Sequence, residues 1–272
     1  MNRIAAAPGF YLNVEVAGSG PPLVLLHGFT GSAASWSPLR ETLAERFTTI
    51  AVDIVGHGHS DCPLDVEHYR MRRAAADLVK VVAKSGFPRA SWLGYSMGGR
   101  TALTIAANHP AAVERLVLIG ASPGLATEEE RAARRDSDEA IARHIESAGI
   151  TAFVDYWERL PLFASQTRLP AEVRERIRAG RLRNDAVGLT NSLRGMGTGS
   201  QEPLHDRLGL IAAPVLMLAG ADDAKYVAIG EAMAAEVPGA RFLAVPDAGH
   251  AAHVENPTCC AREIIAFLTQ QS

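Results

Sequence analysis

A serine sits between two glycines in Gly94-Tyr95-Ser96-Met97-Gly98, behind the apolar run ASWLGY and ahead of a helix-like segment. Small neighbours let a chain turn sharply from strand to helix, which lifts the serine hydroxyl above the edge of a sheet. The first N–H groups of the following helix, and the positive end of its dipole, then face the same point. The Met97 amide is therefore placed to hold an oxyanion. A serine hydroxyl is inert at neutral pH without a base. With the serine first in the chain, the acid is expected next and the histidine last. Asp223 ends the apolar run APVLMLAGADD, and His250 follows ARFLAVPDAG, so both fit. Asp222 and His253 are the neighbouring alternatives. The G-x-x-D spacing favours Asp223, and the small pair Ala248-Gly249 favours His250. His27-Gly28-Phe29 follows the apolar run PPLVLL, and its loop is expected to supply the second oxyanion N–H from Phe29. His27 itself is read as a structural histidine.

Something must hold these residues together. Apolar runs at 21–28, 47–56, 90–96, 113–122, 213–223 and 240–250 read as buried strands. Amphipathic helices are expected near 34–46, 68–85, 97–109, 227–237 and 257–270. This alternation predicts an α/β fold with a mostly parallel, doubly wound sheet. Residues 9–20 are expected to add an antiparallel hairpin at its edge. From about 124 to 205 the pattern is helical throughout, with Thr127 as an N-cap followed by acids. The expected organisation is a core of residues 1–123 and 206–272, with a helical lid of residues 124–205 inserted before the last strands. Placed at the carboxyl end of the sheet, the insertion covers the crevice where ligands bind in such folds.

Composition removes other classes. The chain has 272 residues, 47% apolar and 21% charged, with a net charge of −3. That balance leaves no footprint for nucleic acid. LHGFTGSAASW contains glycines but neither a dinucleotide fingerprint nor a P-loop lysine. No apolar run has the length of a membrane span, and the N-terminus lacks a secretory apolar region. Cys62, Cys259 and Cys260 are odd in number and have no metal-ligand spacing, which points to a reduced, cytoplasmic setting and to no metal. His57 and His59 are expected to shape a turn. Trp36 and Trp92 are expected in the core. Phe153, Tyr156, Trp157 and Phe163 form an aromatic cluster that packs the lid and lines part of a pocket.

Arg100 lies one helical turn past Ser96. Ester hydrolysis has no need of a cation there, but a substrate carboxylate does. HGF, GHGHS, GYSMGG, GADD and AGHAAHVENP together resemble the α/β-hydrolase superfamily, over nearly the whole chain. The wider set GYSMGGR, PGLATEEERAARRDSD, YWERLPLFAS, RLRND and SLRGMGTG resembles one family in it, over about 22 to 268. These are the 2-succinyl-6-hydroxy-2,4-cyclohexadiene-1-carboxylate synthases of menaquinone biosynthesis. GADDAKY keeps Asp223 and Lys225 of their pattern, with Asp222 the odd element. The resemblance implies a lyase without a cofactor that eliminates pyruvate from a small polycarboxylate, with Ser96 as a base. It also implies substrate contacts from Tyr95, Arg100, Arg134, Trp157 and Arg181, with Arg135 and Arg183 as competitors in register. Residues 124–205 hold twelve arginines against thirteen acids, so most of those arginines are expected on solvated faces. The alternative on the same triad is a carboxylesterase or C–C bond hydrolase with a nucleophilic serine.

Overall fold

The apolar runs become strands because each carries Val, Leu or Ile on both faces, as burial on both sides requires. The computed structural model describes residues 2–270, in which eight strands form one sheet. They are β1 (Asn2–Ala7), β2 (Phe10–Ala17), β3 (Pro22–Leu26), β4 (Thr48–Val52), β5 (Ala90–Tyr95), β6 (Val113–Ile119), β7 (Val215–Gly220) and β8 (Arg241–Val245). Their order in space is β1-β2-β4-β3-β5-β6-β7-β8. β2 runs antiparallel to β1 and β4, and the other pairs are parallel. This is the α/β-hydrolase architecture.

The helices are α1 (Leu39–Ala44), α2 (Met71–Lys84), α3 (Met97–Asn108), α4 (Glu128–Trp157), α5 (Ala171–Leu182), α6 (Ala186–Met196), α7 (Ala224–Glu236), α8 (Ala252–Glu255) and α9 (Pro257–Leu268). Alternate strand residues feed two cores. Val24 and Leu26 of β3 join Leu78 and Val82 of α2 and Leu103 of α3 on one face. Leu23 and Leu25 join Leu43 of α1 and Ile264 of α9 on the other. A period of two therefore makes one apolar run serve both layers.

Two elements differ from expectation. The hairpin expected within 9–20 holds only β2, and its partner is β1, joined through Gly9 at φ 72°. The end of that stretch, Gly18-Ser19-Gly20, does not pair and, with Pro21, connects β2 to β3. The helix expected over 34–46 is broken in two. Pro38 pushes Ser37 into an extended conformation (φ −71°, ψ 137°), leaving a 3₁₀ turn at Ala33–Trp36 before α1.

Between β6 and β7 the described residues contain helices only. Thr127 caps α4 reciprocally with Glu130, at 3.1 Å and 3.0 Å, and Glu128, Glu129 and Glu130 occupy the positive end of the helix. The helix bends at Gly149 (φ 81°). Ala142, Ile145, Phe153, Val154, Trp157, Phe163, Leu189 and Leu193 give this segment its own small core. It is seated on the loops that follow β3 and β4 by close contact: a Cβ on Gly188 would overlap the backbone of Gly56. Asn184 donates to the Thr30 carbonyl at 2.8 Å, and Asn191 to the carbonyls of Pro63 and Leu64.

Under that seat lies a buried polar knot. The Asp53 carboxylate accepts from the Ala33 amide at 2.6 Å, the Asn13 side chain at 2.9 Å and the His59 amide at 2.8 Å. It thus ties β2, the loop after β3 and the turn after β4 into one unit. His27 accepts from the Ile54 amide at 3.0 Å, and His57 meets the Val55 carbonyl at 3.0 Å, so both imidazoles fix loops. Burial disfavours their charged forms; His57 is pushed down to about 3, with His27 adding to the shift, and His27 itself is lowered. Below pH 6.5 the unfolded chain takes up these protons before the folded one does. Stability is therefore full above 6.5 and drains as pH falls towards 3. We expect the melting temperature to fall steadily from pH 7 to 4.5. The fall should be shallower in His57→Asn, and parallel melting curves for the two proteins would remove His57 from the account.

Candidate active site

β5 ends at Tyr95 and α3 begins at Met97, so Ser96 alone makes the turn, at φ 51° and ψ −112°. This is a left-handed conformation that a residue with a Cβ adopts only under strain, at about 1–3 kcal/mol. It is held at both ends. The Ser96 amide donates to the Ile119 carbonyl at 2.8 Å, and its carbonyl accepts from the Arg100 amide at 2.9 Å. The glycines matter for space. A Cβ on Gly98 would overlap the Leu26 carbonyl, and one on Gly94 would overlap that of Gly98.

The sheet brings the three distant residues together. Asp223 follows β7 and caps α7, where its side chain accepts from the Tyr226 amide at 3.3 Å. Its other oxygen lies 2.8 Å from His250 Nδ1, in the loop after β8. His250 Nε2 lies 3.0 Å from Ser96 Oγ. The serine, imidazole and carboxylate thus form one continuous chain of hydrogen bonds, through which a proton leaving Oγ can be accepted by a base that Asp223 orients.

The alternatives point elsewhere. Asp222 turns outward and pairs with Arg168 on the surface. His253 is buried between Tyr95, at 4.4 Å between ring centroids, and Trp36, at 4.9 Å. Desolvation, with His250 adding to it, pushes His253 down to about 3. It stays neutral and packs the rings behind the triad. Trp36 and Trp92 are both core residues.

Phe29 and Met97 line the same cavity as Ser96. Among the described residues no protein acceptor takes either amide N–H. Two free donors on the wall of the serine's cavity, one of them at a helix N-terminus, are groups that can hold a negative oxygen. The Phe29 ring meanwhile reaches into the helical segment, 5.3 Å from Trp157 and 6.2 Å from Phe153. Of the aromatic cluster, Trp157 and Phe163 line the cavity, Phe153 lies beneath, and Tyr156 is exposed.

The cavity holds about 420 Å³ and also meets Tyr95, Arg100, Arg134 and Arg181. Tyr95 packs against His250 at 5.4 Å, and burial raises its phenol pKa, so it is a neutral wall. Arg100 is only 8% exposed. Its Nη1 donates to the Met196 carbonyl at 2.8 Å and to Gln201 Oε1 at 2.7 Å. Burial lowers its pKa to about 10, which leaves it charged at neutral pH with no carboxylate bonded to it. Arg181 stacks 4.9 Å over Phe163 and pairs with Glu158 at 3.1 Å; burial lowers its pKa and Glu158 opposes that. The Arg134 side chain is 41% exposed and pairs with Asp138 at 2.8 Å. Burial raises the Asp138 pKa against the pull of Arg134. The register competitors divide. Arg135 is spent on Glu128 and the Gly199 carbonyl, away from the cavity, whereas Arg183 stands at its rim.

Sequence reasoning missed several residues here. Tyr226 lines the cavity one turn beyond Asp223, a spacing that could have flagged it. Gln201 carries no local signal, because it acts through an arginine 101 residues away, whereas Asp138 stands at i+4 from Arg134, a spacing that could have shown the pair. Among the described residues no cluster of metal-ligating side chains occurs, and no helix is long and apolar enough to cross a membrane.

Residues 21–257 match the sequence profile of the alpha/beta hydrolase fold. A Bacillus subtilis (strain 168) protein, provisionally named 2-succinyl-6-hydroxy-2,4-cyclohexadiene-1-carboxylate synthase, is 44% identical over 93% of this chain and 94% of its own. A Salmonella typhimurium protein bearing that name outright is 33% identical over 87% and 89%. The solved structure of MenH from S. aureus superposes with a TM-score of 0.90 at 34% identity, covering 94% of this chain and 97% of that one. A thermophilic esterase from Thermogutta terrifontis, solved with malate bound, gives 0.88 at 28% identity, covering 98% of each.

The strain at Ser96 has a measurable signature. Glycine ordinarily destabilises relative to alanine by enlarging the unfolded ensemble. At φ 51° the order should invert, with Ser96→Gly more stable than Ser96→Ala by about 1 kcal/mol in denaturant titration. An alanine variant as stable as the glycine one would mean the turn is relaxed.

Proposed function

The chain belongs to the α/β-hydrolase family and, within it, to the 2-succinyl-6-hydroxy-2,4-cyclohexadiene-1-carboxylate synthases, and on that premise we propose how its cavity performs their reaction. The reaction is the 1,4-elimination of pyruvate from 2-succinyl-5-enolpyruvyl-6-hydroxy-3-cyclohexene-1-carboxylate, a step of menaquinone biosynthesis. One observation carries the reading: a hydrogen-bonded Ser96–His250–Asp223 chain opens on a cavity that Arg100, Arg134 and Arg181 also line. Ester hydrolysis asks for the first half of that arrangement only. A substrate with three carboxylates asks for both.

In this mechanism Ser96, with His250 drawing off its proton, takes the proton from the ring carbon beside the succinyl carbonyl. The electron pair moves onto the carbonyl oxygen, where the Phe29 and Met97 amides receive the charge. Collapse of that enolate forms a double bond between ring carbons 2 and 3, moves the existing 3,4 double bond to carbons 4 and 5, and breaks the bond from carbon 5 to the enolpyruvyl oxygen; the enolpyruvate that leaves becomes pyruvate on protonation at carbon. No covalent enzyme intermediate is needed. Arg100, Arg134 and Arg181 hold the carboxylates, and Tyr95 and Trp157 wall the ring. Residues 124–205 act as the lid that closes this space from water. The enzyme works in the cytoplasm, a setting that its three free cysteines suit.

The test is pyruvate release from the enolpyruvyl substrate, run beside hydrolysis of a p-nitrophenyl ester. Rapid release with poor esterase activity is expected, and Ser96→Ala should abolish it. The reverse preference would make this an esterase with the same triad. Arg100→Ala should lose about 2–5 kcal/mol of kcat/KM, since a buried carboxylate would be left unpaired. Kinetics unchanged from wild type in that variant would end the carboxylate assignment of Arg100.

A further inference from the structure

Tyr226 occupies the first turn of α7, pinned from two sides. Its amide donates to Asp223 at 3.3 Å, and its ring lies 4.5 Å from that of His250, tilted by 52°. The acid and the base of the triad thus fix where its phenol points. The side chain lines the cavity together with Ser96, Arg100 and Arg134. The hydroxyl has no hydrogen-bond partner among the described residues, and it is not sealed into the core but opens on the cavity. Burial raises the phenol pKa, and the Arg100 guanidinium is the strongest charge acting against that rise. The hydroxyl therefore keeps its proton and lies within the field of Arg100.

Two donors facing one space without an acceptor between them describe a ligand. A guanidinium carries donors only, and a protonated phenol beside it gains most by donating to a third group. Arg100 uses Nη1 for Met196 and Gln201, which leaves Nε and Nη2 without a protein partner among the described residues. A carboxylate has lone pairs enough to satisfy both residues at once.

We propose that Tyr226 is a substrate-binding residue whose hydroxyl donates a hydrogen bond to the same substrate carboxylate that Arg100 pairs with. The assignment rests on the reading of Arg100 given above. It extends the carboxylate site from the helix after the serine to the helix after the acid, so that one anionic group is gripped from both sides of the triad.

Tyr226→Phe tests it cleanly, because the ring against His250 and the amide bond to Asp223 both remain. We expect KM for the enolpyruvyl substrate to rise about tenfold, as loss of a hydrogen bond to a charged group implies. The value of kcat should stay within about twofold, and the melting temperature should be unchanged, since the hydroxyl has no protein partner to lose. In an Arg100→Gln background the same change should have less than about a twofold effect, because both residues serve one carboxylate. A KM like that of wild type in Tyr226→Phe would overturn the proposal, as would a loss fully additive with Arg100→Gln. Wild-type protein that releases no pyruvate would overturn the parent reading and this one with it, an outcome distinct from the other two.

Discussion

A backbone crossing governs the rest of this structure. Where α3 leaves β5, the chain passes so close to the end of β3 that a single methyl group on Gly98 would strike the Leu26 carbonyl. That approach goes with a turn made by Ser96 alone at positive φ, and it sets Met97 in the first turn of α3, on the cavity wall beside the serine. It also brings the β3 loop, with Phe29, to the same point. The conformational strain at Ser96 is offset by two apolar layers packed on the sheet around it. Met97 belongs to one layer, with Phe29 packed against it, and Tyr95 packs against the other, so both cores reach the wall of the cavity.

Charge is handled in two ways on either side of the cavity wall. On the outer faces of the helical segment, arginines are matched by acids: Arg143 and Arg194 with Glu139, and Arg178 with Asp155 and Glu158. Such exposed pairs are worth little individually. Inside, Arg100 is held by a carbonyl and an amide oxygen, which orient a guanidinium without neutralising it. Neutral acceptors leave the full positive charge for whatever enters. The cavity is thereby electropositive although the chain as a whole carries −3.

The sequence was most legible where local chemistry and periodicity agree. Gly94-Tyr95-Ser96-Met97-Gly98 announces its turn because only small residues tolerate it, and six apolar runs of strand length placed β3 to β8 and the order of the triad. Legibility failed where a partner comes from far away or from another layer. The strand pairing of β2 was misread because a partner on its N-terminal side resembles one on its C-terminal side until the connector is seen. A single proline was enough to split the helix before β4. The arginines were the hardest case. Arg134 and Arg135 are adjacent and chemically identical, and only the helix phase sends one to the cavity and the other to Glu128. Tyr226 stands at a spacing from Asp223 that could have flagged it, but the guanidinium nearest its phenol comes from another helix and leaves no mark beside it in the sequence.

Phe29 has two allegiances. It lines the cavity beside Ser96, while its ring is wedged among Trp157 and Phe153 of the helical segment. Asn184 of that segment fastens the neighbouring Thr30 carbonyl as well. The segment is therefore not a module that can be exchanged between relatives like a cartridge. A chimera carrying a foreign helical segment would inherit new cavity side chains and, with the same splice, a misfitted support for the loop that carries Phe29. In this lineage, changes of substrate are constrained to arrive by small steps within the cap, accompanied by matching adjustments in the loop after β3.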